Sequence, residues 1–296
     1  TDVLTINGSA LKYKAFGTSS IMFGDDATGT IDAANYNTGL GVDVFAALTT
    51  GDNNTAVGSN VLNDITTGSL NTAIGAFSLD SNTTGDNNTA LGASALGQST
   101  TGAGNTAVGQ GALTANTTAS NNTAIGKSAL IANTTGTDNT AVGSGALDSV
   151  STSSFNTAVG KNAAGATTGE GNTAVGREAL SANSSGANNT AIGKGSLQSN
   201  TTASNNVALG KNSLFQNTTG TENVAVGVSA LDACTTGSYN VGMGINALGA
   251  LTTASFNTGI GTGVMASITT GNHNTGIGYT TLDSTTTGTD NVAVGK

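Results

Sequence analysis

The sequence predicts an all-β chain built as a parallel β-solenoid, or β-roll, of 17-residue coils. Three observations predict it. The run Asn54-Thr55-Ala56-Val57-Gly58 returns as Asn71-Thr72-Ala73-Ile74-Gly75 and keeps returning to Asn291-Val292-Ala293-Val294-Gly295. Its glycine recurs every 17 residues from Gly41 to Gly295, with one step of 16 between Gly160 and Gly176. A fixed short period is the mark of a repeat architecture. Each period also carries two short apolar patches at constant offsets, separated by Gly, Asn, Asp, Ser and Thr. Such residues suit tight turns, some needing positive φ. Finally, 17 residues are too few for a helical hairpin, and Gly and Thr are poor helix formers. Short strands fit, one period to a coil, with successive coils pairing at about 4.8 Å. Some eighteen coils would then form a rod on the order of 85 Å long.

The start of the chain is the least regular part. Thr5-Ile6-Asn7-Gly8-Ser9-Ala10-Leu11 and Ser20-Ile21-Met22-Phe23-Gly24 look like degenerate repeats, with Gly8, Gly24 and Gly41 spaced by 16 and 17 residues. Asp25 to Ala34 lacks the Ala-Leu and Thr-Thr signatures. Atypical terminal repeats serve as caps or junctions, so residues 1–34 are read as irregular N-terminal coils or a junction. Residues 35–296 are read as the regular solenoid.

Positions in the regular part are counted from the repeat glycine. Position −4 is Asn in all sixteen periods: Asn37, Asn54, Asn71, Asn88, Asn105, Asn122, Asn139, Asn156, Asn172, Asn189, Asn206, Asn223, Asn240, Asn257, Asn274 and Asn291. In a solenoid these side chains stack. An amide has two donors and two acceptor sites, so a stacked Asn column can bond along the axis and satisfy turn backbone, as Asn ladders do in cross-β stacks. Asp would repel its neighbours at that spacing. Position −3 is Thr, or Val at Val207, Val224, Val241 and Val292. Position −2 is Ala or Gly, and −1 is Val, Ile, Leu or Met. Position +4 is mostly Leu, and a Thr-Thr-Gly bend follows, as at Thr66-Thr67-Gly68.

Alternate strand residues face opposite ways, yet Ala56 and Val57 are both apolar, as are their columns. A thin solenoid buries only its inner face. The outer apolar column is therefore expected to meet another copy of the chain, in a parallel homotrimer. The simpler reading leaves those side chains on the surface, where scattered apolar residues are normal.

Composition narrows the function classes. A length of 296 residues ordinarily suggests about two globular domains, but the repeat makes one elongated domain the expectation. Charged residues are 8% and aromatics 4%, with no Pro or Trp, so a large conventional core is not available. The polar, weakly charged composition resembles disorder, but the fixed apolar positions argue against it. A net charge of −9 and a pI near 4.2 disfavour nucleic acid as a partner. A single cysteine, Cys234, rules out an internal disulfide framework and a cysteine-based zinc site. Cys234 shares its column with Ile65, Val150, Leu251 and Ile268 and is read as a small apolar filler. No apolar run approaches the roughly 18 residues of a membrane span, so membrane insertion is not expected. No signal peptide is visible; an exported protein would have lost it or would use another route.

Chemistry-bearing residues are sparse, and no catalytic, metal or cofactor role is assigned. His273 is the one histidine. It shares the column before the ladder Asn with Tyr36, Phe155, Tyr239 and Phe256, and all five are candidate surface contacts for a ligand such as a sugar. Ring faces are flat and apolar; the plainer reading is rings packed over the turn. Lys127, Lys161, Arg177, Lys194 and Lys211 follow their glycines as a partial basic stripe. Asp52, Asp86, Glu170, Asp138, Glu222 and Asp290 lie before the Asn, and Asp80, Asp148, Asp232 and Asp283 form another acidic column. Solvated faces or intersubunit pairs explain these. The Gly-Gly-x-Gly-x-Asp motif of calcium β-rolls is missing. Gly242-Met243-Gly244 and Gly261-Thr262-Gly263 mimic phosphate-loop fragments but have no following helix.

The phrase Asn-Thr-Ala-Val-Gly-x-x-Ala-Leu resembles the head repeat of trimeric autotransporter adhesins, which form left-handed parallel β-rolls in trimers around an Ala-Ile-Gly-x-x-Ala core. With Asn-Thr-Thr-Gly it is also similar to repeats of phage tail-fibre proteins and related bacterial surface proteins. The resemblance covers residues 37–296, departs in its longer period, and shows no coiled-coil stalk, membrane anchor or terminal chaperone domain. It implies an extracellular, cell-surface or virion location and a structural fibre or adhesin. Its partners would be further copies of itself and a cell-surface glycan or protein receptor. Two alternatives stay open. An uncapped last coil would expose strand edges and make a filament that grows end to end. A Thr-rich face would order water in an ice-binding solenoid.

Overall fold

The computed structural model describes residues 5–6, 9–10, 13–16, 19–24 and 33–296. Residues 25–32, most of the Asp25–Ala34 stretch that lacks the repeat signatures, lie outside them. The described chain is an all-β parallel solenoid of about 16–17 coils, with no helix among the described residues. The eighteen coils expected from spacing are one or two too many.

Strands β1 (Thr5–Ile6) and β2 (Ser9–Ala10) pair antiparallel, which no repeat period does. β3 (Tyr13–Phe16) also pairs antiparallel, with β4 (Ser20–Gly24). The parallel ladder begins where β4 meets β5 (Thr38–Gly41), with Ile21 opposite Thr38. Ser20–Gly24 is therefore in the ladder, whereas Thr5–Ile6 and Ser9–Ala10 form a short reversed pair.

The chain divides into two compact units, Thr1–Asn139 and Thr140–Lys296. Within the first, three-residue strands from Thr55–Val57 to Thr123–Ile125 continue the ladder one coil at a time. Within the second, strands from Thr140–Val142 to Val292–Val294 do the same. The register never slips: Thr faces Thr or Val, Ala faces Ala or Gly, and the −1 aliphatic faces its equivalent. The 16-residue step is absorbed in the Thr-Thr bend, so Thr157 still pairs with Thr173.

Each strand alternates around one inward residue. Ala73, Ala90 and their equivalents are buried, while the −1 aliphatics point outward. Leu40, Ile74, Leu91, Ile125, Ile192 and Leu209 are between 37% and 53% exposed. The core is narrow: Ala at −2, small residues at +3, Leu at +4 and a second polar or apolar column at +7.

Closing so small a coil needs sharp bends. In the coil of Gly92 the backbone turns left-handed at Gly92 (φ 137), Ser94 (φ 56), Leu96 (φ 52) and Gly104 (φ 67). A Cβ on Gly92 would also lie 2.7 Å from the backbone of Gly109 in the next coil, so that position takes only glycine. Leu96 is the unexpected member. Left-handed backbone costs a Leu about 1–2 kcal/mol, but Leu96 is buried, and burying a Leu returns about 1.5–3 kcal/mol. The same balance recurs at Leu62, Leu130, Leu180, Leu214 and Leu231, all at positive φ and buried.

Candidate functional surface

The Asn side chains at −4 are buried from Asn37 to Asn274 and their side-chain amides are bonded, while Asn291 in the last coil is half-buried. Asn88 is representative. Its backbone N–H donates to Asn71 Oδ1 at 2.9 Å, and its own Oδ1 accepts from the N–H of Asn105 at 3.0 Å. Its Nδ2 crosses the coil to the Gly102 carbonyl at 2.9 Å. Its carbonyl accepts from Thr72 N–H at 2.9 Å. In the first unit the series of backbone-to-Oδ1 bonds runs from Asn37 through Asn54, Asn71, Asn105 and Asn122 to Asn139. In the second it runs from Asn156 and Asn172 through Asn189, Asn206, Asn223, Asn240, Asn257 and Asn274 to Asn291. These residues are internal braces, not contacts for a ligand.

A second amide column went unread in the sequence. Position +7 holds Asn82, Asn116, Asn133, Asn183, Asn200 and Asn217, all buried. Asn200 Nδ2 donates to Asn183 Oδ1 at 2.8 Å and to Ala203 O at 3.0 Å, and Asn217 Nδ2 reaches Asn200 Oδ1 at 2.9 Å. The signal was there, an Asn seven residues after the glycine, but Ile65, Val150, Leu251 and Ile268 in the same column make it look apolar. Cys234 sits in this column, buried, with its thiol donating to Gly237 O at 3.5 Å. Burial pushes that thiol up to about 12. Asn217 Oδ1, which faces the coil where Cys234 replaces Asn, is buried without a partner.

The five candidate contacts all lie on the surface at a left-handed turn position. Tyr239, Phe256 and His273 come together on successive coils as one stack, with ring centroids 4.9 and 5.1 Å apart and planes within 5°. Stacking covers both faces of Phe256, so a ligand there meets ring edges. In the same column, Glu222 precedes this stack and Asp290 follows it. Tyr36 and Phe155 stand apart from it and are 57% and 64% exposed.

The Thr-Thr bends are also committed in part. Thr66, Thr83, Thr201 and Thr218 donate their hydroxyls to the carbonyl of the equivalent residue one coil on, at 2.9–3.1 Å. In these four pairs only the second Thr, such as Thr67 and Thr84, is exposed. Among the acids, burial raises the pKa of Asp80, with the Asp64 carboxylate adding to it. Burial also raises Asp148 and Asp232, opposed by the Ser149 and Ser229 side chains respectively. Among the described residues no three His, Cys, Asp or Glu side chains gather as a metal-binding set.

A scan against protein-family models and a search of the curated proteins find no match for this chain. The geometry therefore defines a class only: a parallel β-solenoid repeat protein whose polar interior braces the coils.

Proposed function

We propose that the chain is a structural extracellular fibre or adhesin segment, of the phage tail-fibre or bacterial surface-adhesin kind, that assembles with copies of itself and displays repeated weak contacts. The observation that carries this reading is the outward −1 column. Leu91, Ile125, Ile192, Leu209, Met243, Ile260 and Ile277 repeat at one position and are each more than a third exposed. Contiguous apolar strips of this kind mark interaction surfaces. A parallel homotrimer would cover them by bringing equivalent columns together. Surface columns repeated on every coil would then bind a receptor by avidity instead of through one strong site.

Light scattering with negative-stain imaging of the purified chain tests this. A discrete three-chain particle is the expected result. A monomer would overturn the assembly, and thermal hysteresis in such a monomer would turn attention to ice binding. Long filaments with an axial repeat of one chain would replace the trimer with end-to-end growth. Ile192→Ser with Leu209→Ser should weaken the trimer while leaving the far-ultraviolet spectrum unchanged.

A further inference from the structure

We propose that a column of cations in the second unit is a docking strip for a linear acidic polysaccharide carrying about one carboxylate per sugar ring. Lys161, Arg177, Lys194 and Lys211 occupy the position directly after the repeat glycine on four consecutive coils. They are half of the eight cations in a chain of net charge −9. All four are exposed.

Their placement is rigid. The strand register pairs Val159 with Val175, Val175 with Ile192, and Ile192 with Leu209. The ladder then continues past the glycine. Lys161 O accepts from Glu178 N at 3.1 Å, Arg177 O from Gly195 N at 3.1 Å, Lys194 O from Asn212 N at 3.0 Å, and Lys211 O from Ser229 N at 3.0 Å. The cations therefore rise at strand spacing, about 4.8 Å per step.

The fold does not need them. Equivalent positions in the first unit hold Ser59, Ala76, Ala93 and Gln110, with Lys127 the one cation among them. Like charges at this spacing repel even in water. Arg177 is paired with Glu178 at 2.9 Å, but Lys161, Lys194 and Lys211 form no ion pair among the described residues. A row of mutually repelling cations, three of the four without an ion pair, is suited to an external row of anions.

The surroundings select the polymer. Gly160, Gly176, Gly193 and Gly210 stand between the cations and the outward column of Val159, Val175, Ile192 and Leu209. A sugar ring can lay its C–H face on that column and extend its acid group toward the cations. Acidic sugars linked end to end repeat their charge on the scale of one ring, which matches one coil. A nucleic-acid duplex advances the phosphates of each strand by about 3.4 Å along its axis and falls out of step with the column.

The inference rests on the reading of the solenoid as a surface for repeated contacts, but not on its oligomeric state. The test is calorimetric titration of the full chain with polygalacturonate and with its fully methyl-esterified, neutral form. Polygalacturonate should bind, and binding should weaken as sodium chloride is raised. The ester should not bind. Lys194→Gln with Lys211→Gln should weaken binding about tenfold without lowering the thermal unfolding midpoint. Lys127→Gln, whose equivalents one period away are Gln110 and Ser144, should change nothing. Equal binding of the ester, indifference to the double variant, equal loss in Lys127→Gln, or tighter binding of oligothymidylate would each overturn the proposal. So would self-association that the double variant abolishes. A monomer that binds polygalacturonate through the strip would sink the fibre and leave this inference standing; a trimer that ignores polygalacturonate would do the reverse.

Discussion

Two buried columns run up the inside of the regular coils, and they differ in what they permit. Position −4 is Asn in every period; position +7 accepts Asn, Ser, Thr, Cys, Val, Leu or Ile. Both send an amide Nδ2 to the same carbonyl. In the coil of Gly210, Asn206 reaches Gly220 O at 2.9 Å and so does Asn217. Where +7 is aliphatic, −4 still serves that carbonyl: Asn54 reaches Gly68 O at 2.9 Å beside Ile65, and Asn240 reaches Ala254 O at 2.9 Å beside Leu251. The +7 donor is therefore redundant. The −4 Oδ1 is not, because it alone receives the backbone N–H of the next coil, as Asn206 receives Asn223 N at 2.9 Å. A residue is fixed in this fold when a backbone group of the neighbouring coil depends on it.

The same substitution in one coil should separate the two columns most sharply. Asn206→Leu strands the Asn223 N–H in a dry interior and should cost about 3 kcal/mol, read as a lower urea midpoint. Asn217→Leu removes an Oδ1 that is already unpartnered while orphaning Asn200 Oδ1, so it should stay within about 1 kcal/mol of the parent. Equal losses would break the comparison.

The +4 column refines it, because there burial competes with backbone strain. Leu231→Ala should cost about 3 kcal/mol, since the left-handed strain stays and the burial is lost. Ala164 shows the opposite case: at φ 50 it carries the strain with little side chain to bury. Ala164→Gly should therefore stabilise by about 0.5 kcal/mol, seen as a small rise in melting temperature.

A chemical probe tests the apolar end of the +7 column. Cys234, with its thiol held near 12 by burial, should resist iodoacetamide at pH 8 in the folded chain and react promptly in urea. Fast labelling of the folded chain would mean the coil opens there.

The smallest effect is on pH. Burial raises Asp80, Asp148 and Asp232 above their unfolded values. A raised carboxyl contributes stability that is fully present below its unfolded pKa and is lost as pH rises through the folded one. Acidifying from pH 7 toward 4 should therefore nudge the urea midpoint upward, and Asp80→Asn should reduce that gain. A midpoint that falls over this range would show that other carboxylates dominate.

Much of this architecture is legible in residue order alone. The glycine period gives the coil, the alternation at −3, −2 and −1 gives a strand with one inward residue, and the constant Asn points to a stacked amide. The second amide column was hidden because redundancy lets it vary. The reversed pairing of Thr5–Ile6 with Ser9–Ala10 was hidden because so few residues carry no periodicity. The stacked rings of Tyr239, Phe256 and His273 share a column that sequence could define, but their mutual covering appears only in space.

The sequence by itself determined the repeat, the strand positions, which residues line up between coils and which chemistry each column carries. These follow from local periodicity and side-chain type. Only the tertiary structure decided that Leu62, Leu96 and Leu231 would take a left-handed backbone that isolated Leu avoids. It also decided which amide a neighbouring coil depends on. Both outcomes depend on what the next coil buries or leaves without a partner, and that balance exists only once the coils are stacked.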